Sequence, residues 1–419
     1  MHEDPIGRAP VFCPVRSGRV DAGPDGAPFS PPRSTRTPEP TVSEHPQEQD
    51  LDDVPEWALR YDAGEYPLYA VTGDAVALAR DAEDDGAALS ALVVVRGREP
   101  FRGLDAWPGG FLDWERDPTT RETALRELHE ETEVGEAEYL EPLGSYTQNG
   151  RDPRQFAGHP DPETGAWVPT GARVATNAYL MLMPEPAVVT ADADETEGAR
   201  WTDVYRYLPW EDLRADAGRR AAREVLDALG AWAAREGADA RERVDAAFGF
   251  GLREWNEERV AERWRLLYDA GLVPEARRDR WGRSGGEGFG REMAFDHRRI
   301  LADALARLRG KVKYLPAALK ALAGDEFTLD ELQAACEAAA GRPLHRANFR
   351  RAVAAAKGDR PTRTPRIVAG TGKRRPRTAG GPGVAPEVFA FLPGILHARL
   401  DPSLRLPFLA VDGSAADAG

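Results

Sequence analysis

Two blocks of sequence decide how this chain folds: W-P-G-G-F-L-D-W-E, from Trp107 to Glu115, and R-E-L-H-E-E-T-E-V, from Arg126 to Val134, with ten residues between them. The adjacent glycines Gly109 and Gly110 predict a tight loop. Beyond the spacer, Glu127, Glu130 and Glu131 fall at i, i+3 and i+4, which places them on one face of a helix. Three like charges at that spacing destabilise a helix, and anions near its C-terminus also oppose the macrodipole. A hard divalent cation removes both costs, because Mg²⁺ takes oxygen ligands and bridges carboxylates to substrate phosphates. The plainer alternative is a solvated acidic surface helix. Asp117 is the expected N-cap, Pro118 suits the first helical position, and Gly135 follows the last turn. Ala124, Leu125 and Leu128 supply an apolar stripe for burial.

Taken together, the stretch resembles the Nudix box: G, five residues, E, seven residues, then R-E-U-x-E-E-x-G-U, with U a bulky aliphatic residue. Gly109, Glu115, Arg126, Glu127, Leu128, Glu130, Glu131 and Val134 match that pattern. The spacer before Arg126 is ten residues instead of seven, and Glu133 stands where the pattern has its late glycine. The resemblance implies an α/β/α sandwich with the box helix facing a substrate cleft. It also implies Mg²⁺ or Mn²⁺ on Glu127, Glu130 and Glu131, catalytic roles for Glu130, Glu131 and Arg126, and a loop of Gly109, Gly110 and Glu115.

Around this stretch, Tyr69 to Thr72, Ala87 to Val95, Leu140 to Tyr146 and Ala175 to Met183 are β-branched and apolar runs bounded by turn residues, and they read as strands. Strands, loop, helix, strands fits an α+β domain over about residues 53–202, closed by Trp201. Arg151-Asp152-Pro153-Arg154 follows Gly150. Arg151 and Arg154 are candidates for a phosphate clamp, since guanidinium forks match phosphate oxygens; a charged Asp-Pro turn is the plain alternative.

The chain has 419 residues and a formal charge of −15. That length suggests two or three domains. The charge is uneven. Arg342 to Gly380 holds twelve Lys or Arg against the single acid Asp359, a net +11, which leaves −26 for the remainder. One basic segment in an acidic protein points to a local polyanion contact or to a basic solvated tail. Two cysteines far apart, Cys13 and Cys336, give no metal-ligand spacing and suit a reducing compartment. No apolar targeting segment and no run of about 18 apolar residues is seen, so a cytoplasmic protein without a membrane span is expected. Residues 1–52, rich in Pro, Gly, Arg and acids, read as a disordered tail or an over-extended start. Residues 203–293 read as a helical insertion or lid, with amphipathic stretches at Trp210 to Glu236 and Trp255 to Trp281; Val225, Leu229 and Trp232 share one stripe.

Residues 294–392 read as a winged helix-turn-helix, followed by a tail over 393–419. Helices are expected from Phe295 to about Arg309 and from Leu315 to Leu322. Thr328-Leu329-Asp330-Glu331 is a capping box opening a third helix, Gly341-Arg342-Pro343 a turn, and about His345 to Ala356 a basic helix. Val388 to Phe391 reads as a wing strand. Arg346, Asn348, Arg350 and Arg351, with Lys373, Arg374 and Arg375, are the candidate contacts to double-stranded DNA, because Lys and Arg neutralise phosphates while Asn and Arg read base edges. F-D-H-R-R-I-L from Phe295, F-T-L-D-E-L-Q from Phe327 and N-F-R-R from Asn348 are similar to the winged-helix region of the Nudix-related regulators of NAD metabolism. That resemblance implies a homodimer whose cleft senses ADP-ribose or a related nucleotide. Hydrolysis of a nucleoside diphosphate derivative and ligand sensing without turnover both remain open at this point.

Overall fold

The computed structural model describes residues 69–397, apart from 82–87, 136, 190–195, 250–254, 282–286, 355–366, 376–383 and 393. The tail expected over 1–52 and most of that over 393–419 lie outside the described residues. The centre is a seven-stranded mixed sheet. Strand β1 (Tyr69–Asp81) pairs antiparallel with β2 (Ala88–Arg96) and with the short β4 (Gly109–Phe111). On its other side β1 runs parallel to β8 (Arg173–Met183), in register from Tyr69↔Arg173 to Ala79↔Met183. Strand β5 (Tyr139–Tyr146) pairs with β8, while β3 (Asp105–Ala106) and β9 (Thr196–Asp203) pair with β2; β6 (Gly158–Pro160) and β7 (Trp167–Pro169) form a separate two-stranded sheet.

Strand β1 is far longer than the Tyr69–Thr72 run predicts, because side chains alternate across a strand and both faces are covered. Ala75, Ala77 and Ala79 join one buried cluster with Ala124 and Leu128 of α1 (Thr120–Thr132). Val76 and Leu78 join the other, with helices that follow residue 203. The second helical layer of the sandwich therefore comes from the C-terminal part of the chain. Burying each large aliphatic side chain there contributes about 1.5–3 kcal/mol.

The helices after β9 are α2 (Asp216–Glu236), α3 (Ala238–Phe248), α4 (Val260–Asp269) and α5 (Pro274–Trp281). Val225, Leu229 and Trp232 are buried as expected. The stretch expected as one amphipathic run from Trp255 to Trp281 is broken after α4, where Gly271 adopts a left-handed φ of 71°. These helices buttress α6 (His297–Lys311). Glu211, fully buried, takes Arg263 at 2.6 and 2.9 Å and Arg309 of α6 at 2.6 Å.

Next come α7 (Pro316–Ala323), α8 (Leu329–Ala340) and α9 (Arg346–Val353). The capping box at Thr328 and Glu331 is formed in both directions. Gly341, with φ 67°, turns α8 into α9. Helix α9 is shorter than the sequence suggests. His345 caps it, its ring nitrogen accepting the Asn348 N–H. Strands β10 (Val368–Arg374) and β11 (Glu387–Phe391) form the wing, tied back by bridges Phe327↔Phe389 and Ala354↔Val368. The fold is thus α+β, with a sheet sandwiched by helices and a winged helix-turn-helix at its C-terminal end. Among the described residues no helix is long and apolar enough to cross a membrane.

Candidate functional site

A cleft of about 490 Å³ opens on the sheet edge where β1, β4 and α1 meet. Close backbone approach explains the glycines. A Cβ on Gly73 would collide with the Thr120 carbonyl, one on Gly109 would stand 2.6 Å from Asp74 Oδ1, and one on Gly110 would collide with the Glu127 carboxylate. The Gly-Gly pair, expected as a tight loop, is therefore part of a short strand with α1 laid directly over it.

Helix α1 begins later than expected. Thr119 is the N-cap, its hydroxyl accepting the Arg121 N–H, and Asp117 is drawn away from that duty. Arg126 holds Asp117 with two bonds, 2.9 Å from Nε and 2.7 Å from Nη2, and the guanidinium keeps the Asp117 carboxyl far below its usual range. Arg126 also donates to Glu127 at 2.8 Å and Glu130 at 3.0 Å, while Arg116 donates to Glu130 at 2.8 Å. Burial pushes Glu130 up, but the bonds from Arg116 and Arg126 outweigh it and hold its carboxyl below the ordinary value. Glu131 accepts the Gly109 N–H at 3.1 Å. The repulsion expected among the three glutamates is thus relieved by arginine and backbone N–H groups. Among the described residues, no group of three or more His, Cys, Asp or Glu is drawn together as a metal cage. The helix closes at Glu133, in the left-handed region with φ 56° and bonded to the His129 carbonyl. A non-glycine residue there costs roughly 1–2 kcal/mol.

Glu127, Glu130 and Glu131 all line the cleft, as do Arg126, Arg151 and Arg154. Glu115, expected in the loop of the box, is not among the lining residues; it is exposed, with its N–H on Asp113. Arg154 is held by Asp152 at 2.6 Å, and its guanidinium stacks 4.8 Å over the Phe111 ring and 5.4 Å from that of Phe295. Arg151 is buried and bound to Asp296. Among the described residues of 203–293, none lines the cleft, and α4 packs against α6.

In the winged helix, the candidate cations are paired on the surface. Arg346 and Arg350 both bond Asp330, at 2.7 and 2.9 Å; Lys373 bonds Glu326 and Arg375 bonds Glu331. Arg351 donates to the Asn348 side chain, and Arg374 to the Ala385 carbonyl. Arg346, Asn348, Arg350 and Arg351 lie on the second helix of the helix-turn-helix; Lys373 and Arg374 lie on a wing strand, with Arg375 next to it.

Comparison with known proteins fits both parts. A model of the NUDIX domain matches residues 72–229, and a model of the NrtR DNA-binding winged helix domain matches residues 320–362. The chain joins a Nudix domain to an NrtR-type winged helix. The Nudix match runs past β9 into α2, beyond the boundary at residue 202 expected from sequence. Similar solved structures include Shewanella oneidensis NrtR, at 20% identity over 81% of this chain and 100% of that one, TM-score 0.43. A MutT/nudix family protein from Enterococcus faecalis is 21% identical over 70% and 84%, TM-score 0.42. The NUDIX domain of Shewanella oneidensis NrtR complexed with ADP ribose is 26% identical over 36% and 82%, TM-score 0.26. No curated protein sequence matches the chain.

Several residues of the Nudix cleft escaped the sequence reading. Asp74, on β1, is buried and lines the cleft; burial pushes its carboxyl up to about 7. Its Oδ2 lies 3.6 Å from His297 Nε2. Burial, reinforced by nearby arginines, holds His297 well below the usual imidazole value, so the ring is neutral. Its Nδ1 accepts the Trp107 N–H at 2.9 Å, which leaves the proton on Nε2. The F-D-H run, read from sequence as the opening of the DNA-binding part, in fact brings Phe295 and His297 to the cleft wall. The signal available was an acid, Asp74, in the middle of a strand whose other charged residues, Arg80 and Asp81, stand at its end.

Proposed function

We propose that the protein binds a nucleoside diphosphate derivative such as ADP-ribose in the Nudix cleft and hydrolyses it with Mg²⁺ or Mn²⁺. We propose further that occupancy of the cleft alters binding of a homodimer to double-stranded DNA at NAD-metabolism genes, which puts the protein in the cytoplasm. One observation carries this reading: the box glutamates and the loop arginines Arg151 and Arg154 line a single cleft of about 490 Å³, a volume suited to a nucleotide-sized ligand, in a chain that also carries a winged helix.

The donor set fits a hard cation. Glu127, Glu130 and Glu131 offer carboxylate oxygens on one helix face, and they would hold it. When bound, such a cation activates water and offsets charge on a diphosphate. The chain's own residues do the rest. Asp117 fixes Arg126, and Arg126 in turn bonds both Glu127 and Glu130 and holds the Glu130 carboxyl below its ordinary value. Glu130 or Glu131 accepts the proton of the attacking water. Arg154, stacked on Phe111 with 38% of its side chain exposed, presents a guanidinium to the phosphates.

The test is incubation of the full chain with ADP-ribose and Mg²⁺, with AMP and ribose 5-phosphate as the expected products. Glu130→Gln should retain binding and lose at least about a hundredfold in rate, the scale of a lost general base. The second reading is a silent sensor. It is favoured by the two arginines that occupy Glu130. A gel shift separates the two. With turnover, the ADP-ribose effect on DNA binding fades with time in Mg²⁺ and persists in Glu130→Gln. A persistent effect without products from the intact protein means sensing alone. No binding of ADP-ribose by either protein overturns both.

A further inference from the structure

Arg151 and Asp296 join the Nudix cleft to the helix that leads into the winged helix. Arg151 follows β5 and lines the cleft. Its Nε and Nη2 both converge on one oxygen of Asp296, at 3.1 and 2.7 Å. The other oxygen, Oδ2, is buried and makes no hydrogen bond; Arg299 stands 3.9 Å from it. Asp74 Oδ2, also buried at the cleft, lacks a hydrogen bond too. A bidentate guanidinium fork is thus spent on one carboxylate oxygen, while the carboxylates of Asp74 and Asp296 each keep one buried oxygen without a hydrogen bond. Orphan buried acceptors are costly, and a fork matches two oxygens better than one.

Asp296 stands immediately before α6. Phe295 precedes it, held in the left-handed region with φ 52°, under the Arg154 and Arg96 guanidinium groups. A bulky residue keeps that conformation only where its surroundings impose it. His297 follows, and both its ring and its carbonyl are bonded to Trp107. The far end of α6 reaches the helix-turn-helix: Arg309 donates to the Ala339 carbonyl in the last turn of α8, and Gly341 then turns the chain toward α9.

We propose that Asp296 is a built-in stand-in for a ligand phosphate: a phosphoryl group entering the cleft takes Arg151 from Asp296 and releases the first turn of α6. The proposal rests on the reading of the cleft as a diphosphate site. A phosphoryl group brings several acceptor oxygens to the fork and, being anionic in a buried place, repels the carboxylate it replaces. The released state then differs from the unliganded one at α6, which gives the ligand the differential contact that coupling to DNA requires.

Asp296→Asn keeps the shape and removes the competing charge. A ligand that must displace an internal occupant binds more weakly by the fraction of competent molecules. The variant of the full chain should therefore bind inorganic pyrophosphate and ADP-ribose more tightly than the intact protein, on the order of tenfold. Its DNA affinity should no longer respond to ADP-ribose. Asp303→Asn, further along α6 and bonded to Tyr146, should behave as the intact protein does. Unchanged pyrophosphate affinity and an unchanged DNA response in Asp296→Asn would overturn the proposal and leave the ADP-ribose reading standing. Tighter pyrophosphate binding by the variant, with no ADP-ribose binding by any protein, would support the exchange at Arg151 and remove the nucleotide reading. Hydrogen exchange on the intact protein needs no variant: amides of His297 to Ile300 should lose protection when pyrophosphate is added, and unaltered protection there would sink the exchange.

Discussion

Arg151 in the Nudix cleft and Arg350 in the winged helix are each held by an aspartate, Asp296 at 2.7 Å and Asp330 at 2.9 Å. The side chain of Arg151 is 4% exposed and that of Arg350 43%. The bond lengths barely differ, yet the surroundings give the two pairs different uses. In a buried setting each charge has lost its water, so removing one partner strands the other. At the surface both partners remain hydrated, and exchange for another anion costs little. The cleft is therefore built to hold a fixed arrangement until a ligand replaces part of it. The winged helix carries cations that can pass to DNA phosphates.

The largest expected effect lies at the most deeply buried pairing. Glu211→Ala would leave Arg263 and Arg309, both fully buried, without their carboxylate. Breaking a buried pair from one side costs about 3–5 kcal/mol. Urea unfolding should show a loss of that size, or no folded protein at all, while Asp330→Ala should lose less than about 1 kcal/mol. Equal losses in the two variants would erase the distinction drawn between the regions.

The next effect is on DNA. Arg350→Ala and Arg351→Ala should each weaken duplex binding and flatten its salt dependence by about one unit of slope, since each phosphate contact releases counterions. Asn348→Ala should instead relax base preference, by about 1–3 kcal/mol at one position. Binding that is insensitive to salt would return these cations to the role of solvated surface charge.

How far the sequence foretold this molecule differs between the same two regions. The winged helix was legible because its signals are local: Thr328 and Glu331 are three residues apart, and the wing strand Val388 to Phe391 announces itself by composition. The box helix was legible through the spacing of Glu127, Glu130 and Glu131. The cleft was not, because its decisive contacts are remote. Asp117 looks like a helix cap until Arg126, nine residues later, is seen to claim it. His297 looks like the start of a DNA-binding segment, yet it bonds Trp107 across 190 residues. Asp74 sits mid-strand in β1, and nothing nearby in sequence names its neighbour His297. Arg151 and Arg154 read as candidates for a phosphate clamp, and Asp152 between them holds Arg154, but Asp296, which holds Arg151, stands 145 residues away.

The cleft should also be sensitive to pH in a way the wing is not. Asp74 has its carboxyl pushed up to about 7 by burial, whereas in the unfolded chain it titrates near the ordinary value of 3.8. Between those two values the folded protein holds a proton that the unfolded chain has released, so stability falls as pH rises. The contribution is fully present below the unfolded value and is lost as pH rises through about 7. Its slope approaches about 1.4 kcal/mol per pH unit. Asp74→Asn should remove that slope, so unfolding free energies of variant and intact protein, compared between pH 5 and 6.5, should diverge steadily. Parallel curves would mean that Asp74 is ionised throughout and is paired more closely with His297 than the 3.6 Å separation implies.

The smallest effect is the most direct probe of the wing. Asp330 holds Arg346 and Arg350 together, with about half of its side chain exposed. Asp330→Asn keeps the shape of the first turn of α8 and leaves Thr328 and Glu331 to cap it. It removes one charge near the helix N-terminus, so stability should change by no more than about 0.5 kcal/mol. The two arginines, freed of an internal anion, should bind duplex DNA more readily. The gain should be a few-fold in affinity at low salt, shrink as salt screens it, and be the same for any sequence, because phosphates carry no base information. A few-fold gain confined to one operator would instead place Asp330 or its arginines on base edges. No gain at all, with stability intact, would mean that Arg346 and Arg350 do not reach the backbone and that Arg351 and the wing carry the contact.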